Sequence, residues 1–322
     1  MKLLITGSSG WLGRFLAPMA IAGGHEVIGL DVAPGEFTRI RGSVADRALL
    51  DRVFRDERPD AVIHCGALHK PDIARFDEKA FWAVNAQGTR HLLDLAAAAG
   101  HDRFVHTSTT SLMISEAVRA EEGEHAVWMD ETFSPLQPRN IYGETKLDAE
   151  TACREVHDST GMAVVILRTS RFFPEDDDTH AVPAGDNLKA NELLYRRLTV
   201  EDAARAHLAA LDAAPRVGFG TYIVSAPTPF RRHEVEALKR DARAVILKHF
   251  PEAEALYARA GWVLPDSIGR VYDSSAITRE LGFAFDTDFA AVLAALRNGE
   301  ALPFVHDPDY VSPVTLQDLE PC

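Results

Sequence analysis

The run Lys2-Leu3-Leu4-Ile5-Thr6-Gly7-Ser8-Ser9-Gly10-Trp11-Leu12-Gly13 decides how the rest of the chain is read. Its first five residues have the length and apolar content of a buried strand, and from Arg14 to residue 22 apolar side chains return at helical spacing. Strand, glycine turn and helix in that order give Gly7-x-x-Gly10-x-x-Gly13 its meaning. Gly7 permits the tight turn, and Gly10 lets backbone approach a pyrophosphate. Gly13 lets the helix pack closely on the strand, and the first N–H groups of the helix face the phosphates. Ser9, Trp11 and Leu12 fill the turn and belong to the same cradle. A βα turn without a ligand is the competing reading. Pro18 interrupts the helical run, where an interior proline costs roughly 3 kcal/mol. A kink there and an end at Gly23-Gly24 are expected.

Outward from the turn, Glu26-Val27-Ile28-Gly29-Leu30 reads as a second strand with Asp31 at its C-terminal end. A carboxylate there accepts hydrogen bonds from adenosine ribose hydroxyls and repels a 2′-phosphate, so Asp31 favours NAD over NADP. Arg39 and Arg41 lie nearby and keep NADP in view. Further strands are expected at 37–41, 61–64, 103–107, 162–168 and 220–225, with helices at 46–54, 77–99 and 201–213. Cys65-Gly66-Ala67 after the fourth strand are small, as suits a cofactor crossing the sheet. Asn85 is a polar amide within the long helix, and Thr107-Ser108-Thr109-Thr110-Ser111 place hydroxyls at the carboxyl end of the fifth strand.

Repeated βα units of this kind predict an α/β fold: a Rossmann-type, doubly wound parallel sheet of about seven strands with a smaller C-terminal α+β lobe. The expected division is 1–173, with 198–227 returning to it, as the dinucleotide-binding domain, and 174–197 with 228–322 as substrate lobe and tail. In the lobe, helices are expected near 233–237, 245–250 and 288–297. Glu175-Asp176-Asp177-Asp178 reads as solvated loop, and 302–322 as a loosely packed tail.

A formal net charge of −14 argues against a nucleic-acid or anionic-membrane surface, yet a few local arginines suffice for an anionic small molecule. Cys65, Cys153 and Cys322 are too few and scattered for a disulfide framework or a metal site. No secretory signal is read, and no apolar run approaches the ~20 residues of a membrane span. A cytoplasmic protein is expected.

Tyr142-Gly143-Glu144-Thr145-Lys146 opens a helical run to about residue 158. Residues four apart share a helix face. A phenol loses its proton near pH ~10, and a nearby ammonium pulls that value toward neutrality, making Tyr142 a usable general base. The same spacing recurs by chance on amphipathic helices.

With these motifs in order, the chain resembles the extended short-chain dehydrogenase/reductase family, the group containing UDP-galactose 4-epimerase and related nucleotide-sugar enzymes. The resemblance rests on Thr6-Gly7-x-x-Gly10-x-x-Gly13, Asp31, His64-Cys65-Gly66-Ala67, Asn85, Thr107-Ser108-Thr109, Tyr142-x-x-x-Lys146, Leu167-Arg168-Thr169-Ser170-Arg171-Phe172 and Leu198-Thr199-Val200-Glu201-Asp202. It implies that Tyr142 exchanges a proton with a substrate oxygen and that Lys146 bonds the nicotinamide ribose. It also implies that Thr109, or Thr110 if the register slips by one, steadies the reacting oxygen, and that Arg168 belongs to the cofactor motifs. A homodimer through helices near 77–99 and 142–158 is implied as well.

The chain departs from that family in three places. Arg171 stands where the nucleotide-sugar epimerases usually carry asparagine, and the insert 174–197 is short. Thr110-Ser111 follows Thr109 where sugar dehydratases carry an Asp-Glu pair, which disfavours dehydration. Arg171, Arg197 and Arg270 are candidates for binding a polar or anionic substrate, with His69 and Lys70, and internal ion pairs are the equal alternative. Three readings follow: an NAD-dependent epimerase of a sugar or nucleotide sugar working through a transient ketone, a dehydrogenase releasing NADH, and a dinucleotide sensor.

Overall fold

The computed structural model describes residues 1–176 and 182–313; Asp177 and Asp178 of the acidic run and residues 314–322, with Cys322, lie outside the described residues. Nine strands occur among the described residues: β1 (Lys2–Thr6), β2 (Glu26–Asp31), β3 (Thr38–Arg41), β4 (Ala61–His64), β5 (Arg103–Thr109), β6 (Val127–Met129), β7 (Ala163–Thr169), β8 (Phe219–Val224) and β9 (Arg270–Tyr272). Seven of them form one parallel sheet in the order β3-β2-β1-β4-β5-β7-β8, the seven that the sequence predicts.

The helices up to β8 are α1 (Gly13–Ala22), α2 (Arg47–Glu57), α3 (Glu78–Phe81), α4 (Gly88–Ala98), α5 (Glu116–Ala120), α6 (Ile141–Thr160), α7 (Gly185–Glu192) and α8 (Val200–Val217). Of these, α1 and α8 cover one face of the sheet, and α2, α3, α4 and α6 the other. Alternation along the strands sends Leu3, Ile5, Val165 and Leu167 to one face, against Leu16, Ala20, Ala203 and Ala210 of α1 and α8. Leu4, Val62, Val164 and Ile166 go to the other, against Leu50, Leu92 and Ala152 of α2, α4 and α6. Burying each such aliphatic side chain is worth roughly 1.5–3 kcal/mol, so the two-sided core holds the sheet. The glycine turn is held by contact. A Cβ on Gly13 would lie 2.1 Å from the Gly7 carbonyl oxygen, and one on Gly7, whose φ is +73°, 2.8 Å from the Gly66 nitrogen.

Several expectations need correction. The helix α1 runs unbroken through Pro18, and it ends where expected, before its cap at Gly23. The helix expected over 77–99 has a wide π-helical turn at Trp82–Gln87 between α3 and α4. That turn aims Asn85 inward, where it accepts from the Leu68 N–H at 2.8 Å and donates to the Leu68 carbonyl at 3.0 Å. The polar insert also holds a helix that was not expected: α7 buries Asn187 through Glu192, and Asn187 and Asn191 each donate to the Val263 carbonyl at 3.0 Å. Polar side chains there satisfy backbone rather than meet water.

In the lobe, one helix, α9 (Val235–His249), broken at Asp241, replaces the two expected at 233–250. It is followed by α10 (Ala253–Ala260), α11 (Ser275–Leu281) and α12 (Phe289–Asn298). β6 and β9 pair in a small parallel ribbon that sequence reading missed. In the described part of the tail, residues 302–313, Tyr310 is seated more firmly than expected, packing edge-on against Trp11 with ring centres 5.2 Å apart.

Candidate active site

The strand order reverses between β1 and β4, and a ligand crevice is expected at such a switch point. A cleft of about 90 Å³ opens there. Its floor is Gly7 and Gly10, with Trp11 and Leu12 leading into α1; Asp31, Cys65, Gly66, Ala67 and Thr107 form its walls. A Cβ on Gly10 would meet only the Gly7 carbonyl, 3.3 Å away, so that position faces open cleft. The Asp31 carboxylate accepts from the Ser9 N–H at 2.9 Å and the Ala33 N–H at 3.0 Å, which fixes its plane. Burial pushes its carboxyl up from the ordinary value, and those backbone donors oppose the shift.

A side-chain-free floor, a fixed carboxylate after β2 and small residues after β4 fit an adenine dinucleotide. Gly42, Ser43, Val44 and Val84 also line this end and were missed. The position of 42–44 directly after β3, at the carboxyl edge of the sheet, was the available signal. Asp31→Ala is expected to weaken NAD binding about tenfold to a hundredfold, the worth of hydrogen bonds to a charged group. It should also narrow the preference over NADP. Calorimetry on both dinucleotides checks this, and tighter NADP binding by the unaltered protein would contradict it.

Of the residues expected at the cofactor, Tyr142 and Lys146 line the adjoining cavity instead, and Ser9, Gly13, Asn85 and Arg168 line neither. Ser9 instead holds Asp31 and donates its hydroxyl to the Ala33 carbonyl at 2.8 Å. Gly13 allows α1 to dock, and Asn85 fastens the loop after β4. Arg168 is buried in a two-pronged pair with Glu150, at 2.7 and 3.0 Å, which Ser108 joins at 2.6 Å. The pair ties α6 to β7 and acts on the site through α6.

α6 begins where Asn140 accepts from the Gly143 N–H at 3.0 Å. Gly143 is needed there because a Cβ would lie 2.6 Å from Pro138. Tyr142 therefore sits in the first helical turn, where the helix dipole favours negative charge. The Thr109 hydroxyl oxygen accepts from the Ser111 N–H at 3.1 Å and hydrogen-bonds the Tyr142 phenol, which favours the phenolate. Burial is nevertheless the larger effect, and the phenol is pushed up to about 12. The expectation that Lys146 brings it toward neutrality is thus not met. The Lys146 ammonium donates instead to the Thr107 carbonyl at 2.6 Å and lies 3.2 Å from His106 Nε2. Burial brings Lys146 down to about 8.

Beneath them three fully buried histidines stay neutral. Burial holds His64 at about 3 and His207 at about 4, and His106 well below its ordinary value. His64 bridges the hydroxyls of Thr6 and Thr89, and His207 meets Thr107 at 2.7 Å.

A second cavity of about 330 Å³ adjoins the cleft, sharing Cys65, Ala67, His69 and Thr107 with it. Thr109, Thr110, Tyr142 and Lys146 line this second cavity together with His69 and Lys70. The His69 ring lies edge-on to Tyr142 at 5.8 Å. Arg171 and Arg270 stand at the far end. Arg171 is not held for substrate alone, since its guanidinium donates to the Asp176 carbonyl at 2.6 Å and approaches the Glu175 carboxylate at 3.4 Å. Arg270 pairs with Glu121 at 3.0 Å, while its buried Nε has no hydrogen-bond partner among the described residues. Arg197 does not line the cavity. It is buried against Glu192 at 2.7 Å and the Phe173 carbonyl at 3.0 Å. Its neighbour Arg196 lines it instead, with Arg119 and Arg139 from a stretch that carries no sequence motif.

A UDP-glucose 4-epimerase from Rhizobium meliloti (strain 1021) is 31% identical over 56% of this chain. That alignment spans 58% of the relative, a little over half its length. A dTDP-glucose 4,6-dehydratase from Streptomyces griseus is 28% identical over 91% of this chain and 92% of the relative. Among solved structures, a short-chain dehydrogenase/reductase superfamily protein from Agrobacterium tumefaciens with bound NAD is 25% identical and covers 93% of this chain and 98% of that one, with a TM-score of 0.63. Residues 3–224 match the model of the NAD dependent epimerase/dehydratase family, which places this chain among its enzymes: it belongs to that family.

Proposed function

We propose that this protein is an NAD-dependent epimerase of a sugar or nucleotide sugar, working through a transient ketone. The carrying observation is the Tyr142–Thr109 hydroxyl pair, which borders the substrate-side cavity where it meets the glycine-turn cleft. In this reading Tyr142 takes the proton of a substrate hydroxyl and later returns it, while Thr109 holds the reacting oxygen. Lys146, buried and fastened to the Thr107 carbonyl, supplies positive charge beside the pair. NAD, when bound, accepts and returns the hydride. Asp31 and the glycine turn would hold its adenosine and phosphates, and Lys146 its second ribose. A ketone freed from contact with Tyr142 turns its opposite face before re-reduction, and that step inverts the carbon.

Arg119, Arg139, Arg196 and Arg270 around the cavity support a substrate bearing an anionic group. Relatives named for UDP- and dTDP-sugars agree with a nucleotide sugar. Thr110-Ser111 after Thr109 lacks the carboxylates that elimination of water calls for, despite the dehydratase relative. One observation favours a second reading: Arg171 takes the place of the epimerases' asparagine and is tied to the 175–176 loop, which fits a dehydrogenase of a smaller sugar or sugar acid. The two are separated by incubating the protein with NAD and candidate sugars. Epimer formation without net NADH is expected; steady NADH accumulation would replace the first reading with the second.

A further inference from the structure

We infer that residues 304–313 form a strap that closes the dinucleotide cleft, with Tyr310 as its contact residue, so that the chain retains its cofactor between turnovers. This rests on the placement of the dinucleotide proposed above. The segment follows the last helix and belongs to no strand or helix of the nucleotide fold, yet Tyr310, Ser312 and Pro313 line the cleft opposite Asp31 and the glycine turn. Tyr310 is half-buried. Its ring stands edge-on to Trp11 at 5.2 Å, lies 6.5 Å from Phe173, and shares the Arg14 guanidinium with Trp11 at 5.8 and 5.1 Å. Trp11 is itself fixed by donating its indole N–H to the Phe172 carbonyl at 3.2 Å. The ring thus rests on a rigid seat directly over the entrance of α1.

The strap is fastened at its other end to the substrate side. The Asp307 N–H donates to the Pro174 carbonyl at 3.0 Å. His306 Nδ1 meets the ammonium of Lys189, a side chain only 1% exposed, at 2.7 Å, and the same ammonium donates to the Glu175 carbonyl at 3.2 Å. Glu175 and Asp176 line the second cavity. One segment therefore reaches from the wall of the substrate cavity to the mouth of the cofactor cleft.

As seated, the cleft encloses about 90 Å³. Ligand pockets run to roughly 300 Å³ or more. A dinucleotide enters only when the strap lifts, and it leaves only when the strap lifts again. An epimerase that regenerates its own oxidant gains from slow release, because each lost NADH strands a ketone.

The test follows NADH leaving the full-length protein: the complex is mixed with excess NAD and the decay of bound-NADH fluorescence is recorded. Tyr310→Ala is expected to release NADH about tenfold faster, the scale of one aromatic contact. Tyr310→Phe keeps the ring and should stay within about twofold of the parent. His306→Ala removes the anchor without touching the cleft, and faster release is expected there too, which keeps the inference testable should Tyr310→Ala fold poorly. Release from these variants at the parent rate, or more slowly, overturns the strap. Failure of the unaltered protein to take up NADH overturns the placement of the dinucleotide, and the strap with it.

Discussion

Tyr142→Phe is expected to lower kcat by about a thousandfold, within the ~10²–10⁴ range of a positioned general acid or base, while NAD binds within about twofold of the parent. The phenyl ring fills the same slot between His69 and the first turn of α6, so packing is kept and only the hydroxyl goes. Thr109 retains its bond from the Ser111 N–H and still fills its place, but nothing remains to carry the proton. Burial holds the phenol near 12, far above working pH, so in the proposed role Tyr142 needs help when substrate and cofactor are in place. The helix N-terminus, the Thr109 donor and the Lys146 charge are the groups of this chain that can help. Rates and calorimetry on the variant check the claim. Full activity would remove Tyr142 from the chemistry; loss of NAD binding along with activity would mark the change as structural.

The second large effect concerns acid. Between pH 7.5 and pH 5 the fold is expected to lose about 4 kcal/mol, from His64 and His207 alone. An imidazole in the unfolded chain takes its proton near pH ~6.5. In the folded chain burial holds these two near 3 and 4. Depressed folded values mean that the unfolded chain binds more protons once pH falls below ~6.5. Stability is therefore full above that value and is lost as pH falls toward the folded values. At pH 5 the difference is about 2 kcal/mol for each ring, at ~1.4 kcal/mol per pH unit.

His106, displaced in the same direction, adds to the loss. Glu192, held below its ordinary value by Arg196 and Arg197 against the cost of burial, contributes in the same sense at lower pH. Asp31 and Glu131, raised by burial, oppose it, since they bind protons more readily when folded. Against a total of ~5–15 kcal/mol the loss is large. Urea unfolding at the two pH values measures it, and equal midpoints would show that the three rings are not held neutral.

The sheet was legible because each signal in it is local. A glycine turn, a strand ending in Asp31 and a helix stopped by a glycine depend on residues within one βα unit. The Tyr142-x-x-x-Lys146 spacing was legible for the same reason, since the two residues lie one turn apart on α6. What sequence could not carry was pairing across the chain. Arg168 lies within one motif and Arg197 directly before another, yet each is claimed by a carboxylate, Glu150 and Glu192, whose nearness depends on how helices dock. The insert reads only as polar, because Asn187, Asn191 and Lys189 are hydrophilic. In the folded chain they bond Val263, Glu175 and His306, none within ten residues. Tyr310 carries no motif at all; its place at the cleft follows from where the last helix leaves the chain.

The contact between Gly7 and Gly66 has a bearing on redesign. Two backbones touch there with no side chain between them, and Gly13 presses on the same turn from behind. The floor of the cleft is accordingly close to a fixed template: a substitution at Gly7 or Gly13 displaces main chain, while one at Gly66 meets the Gly7 nitrogen and the Thr6 hydroxyl at 3.2 Å and asks for a smaller shift. Latitude for changing the preferred dinucleotide lies in the wall. Val32 lines it and Ala33 follows, and Asp31 is held by main-chain donors that would outlast its replacement. Exchanging the acid for a neutral residue and placing a base one or two positions on alters the charge offered to the ribose and leaves the template untouched.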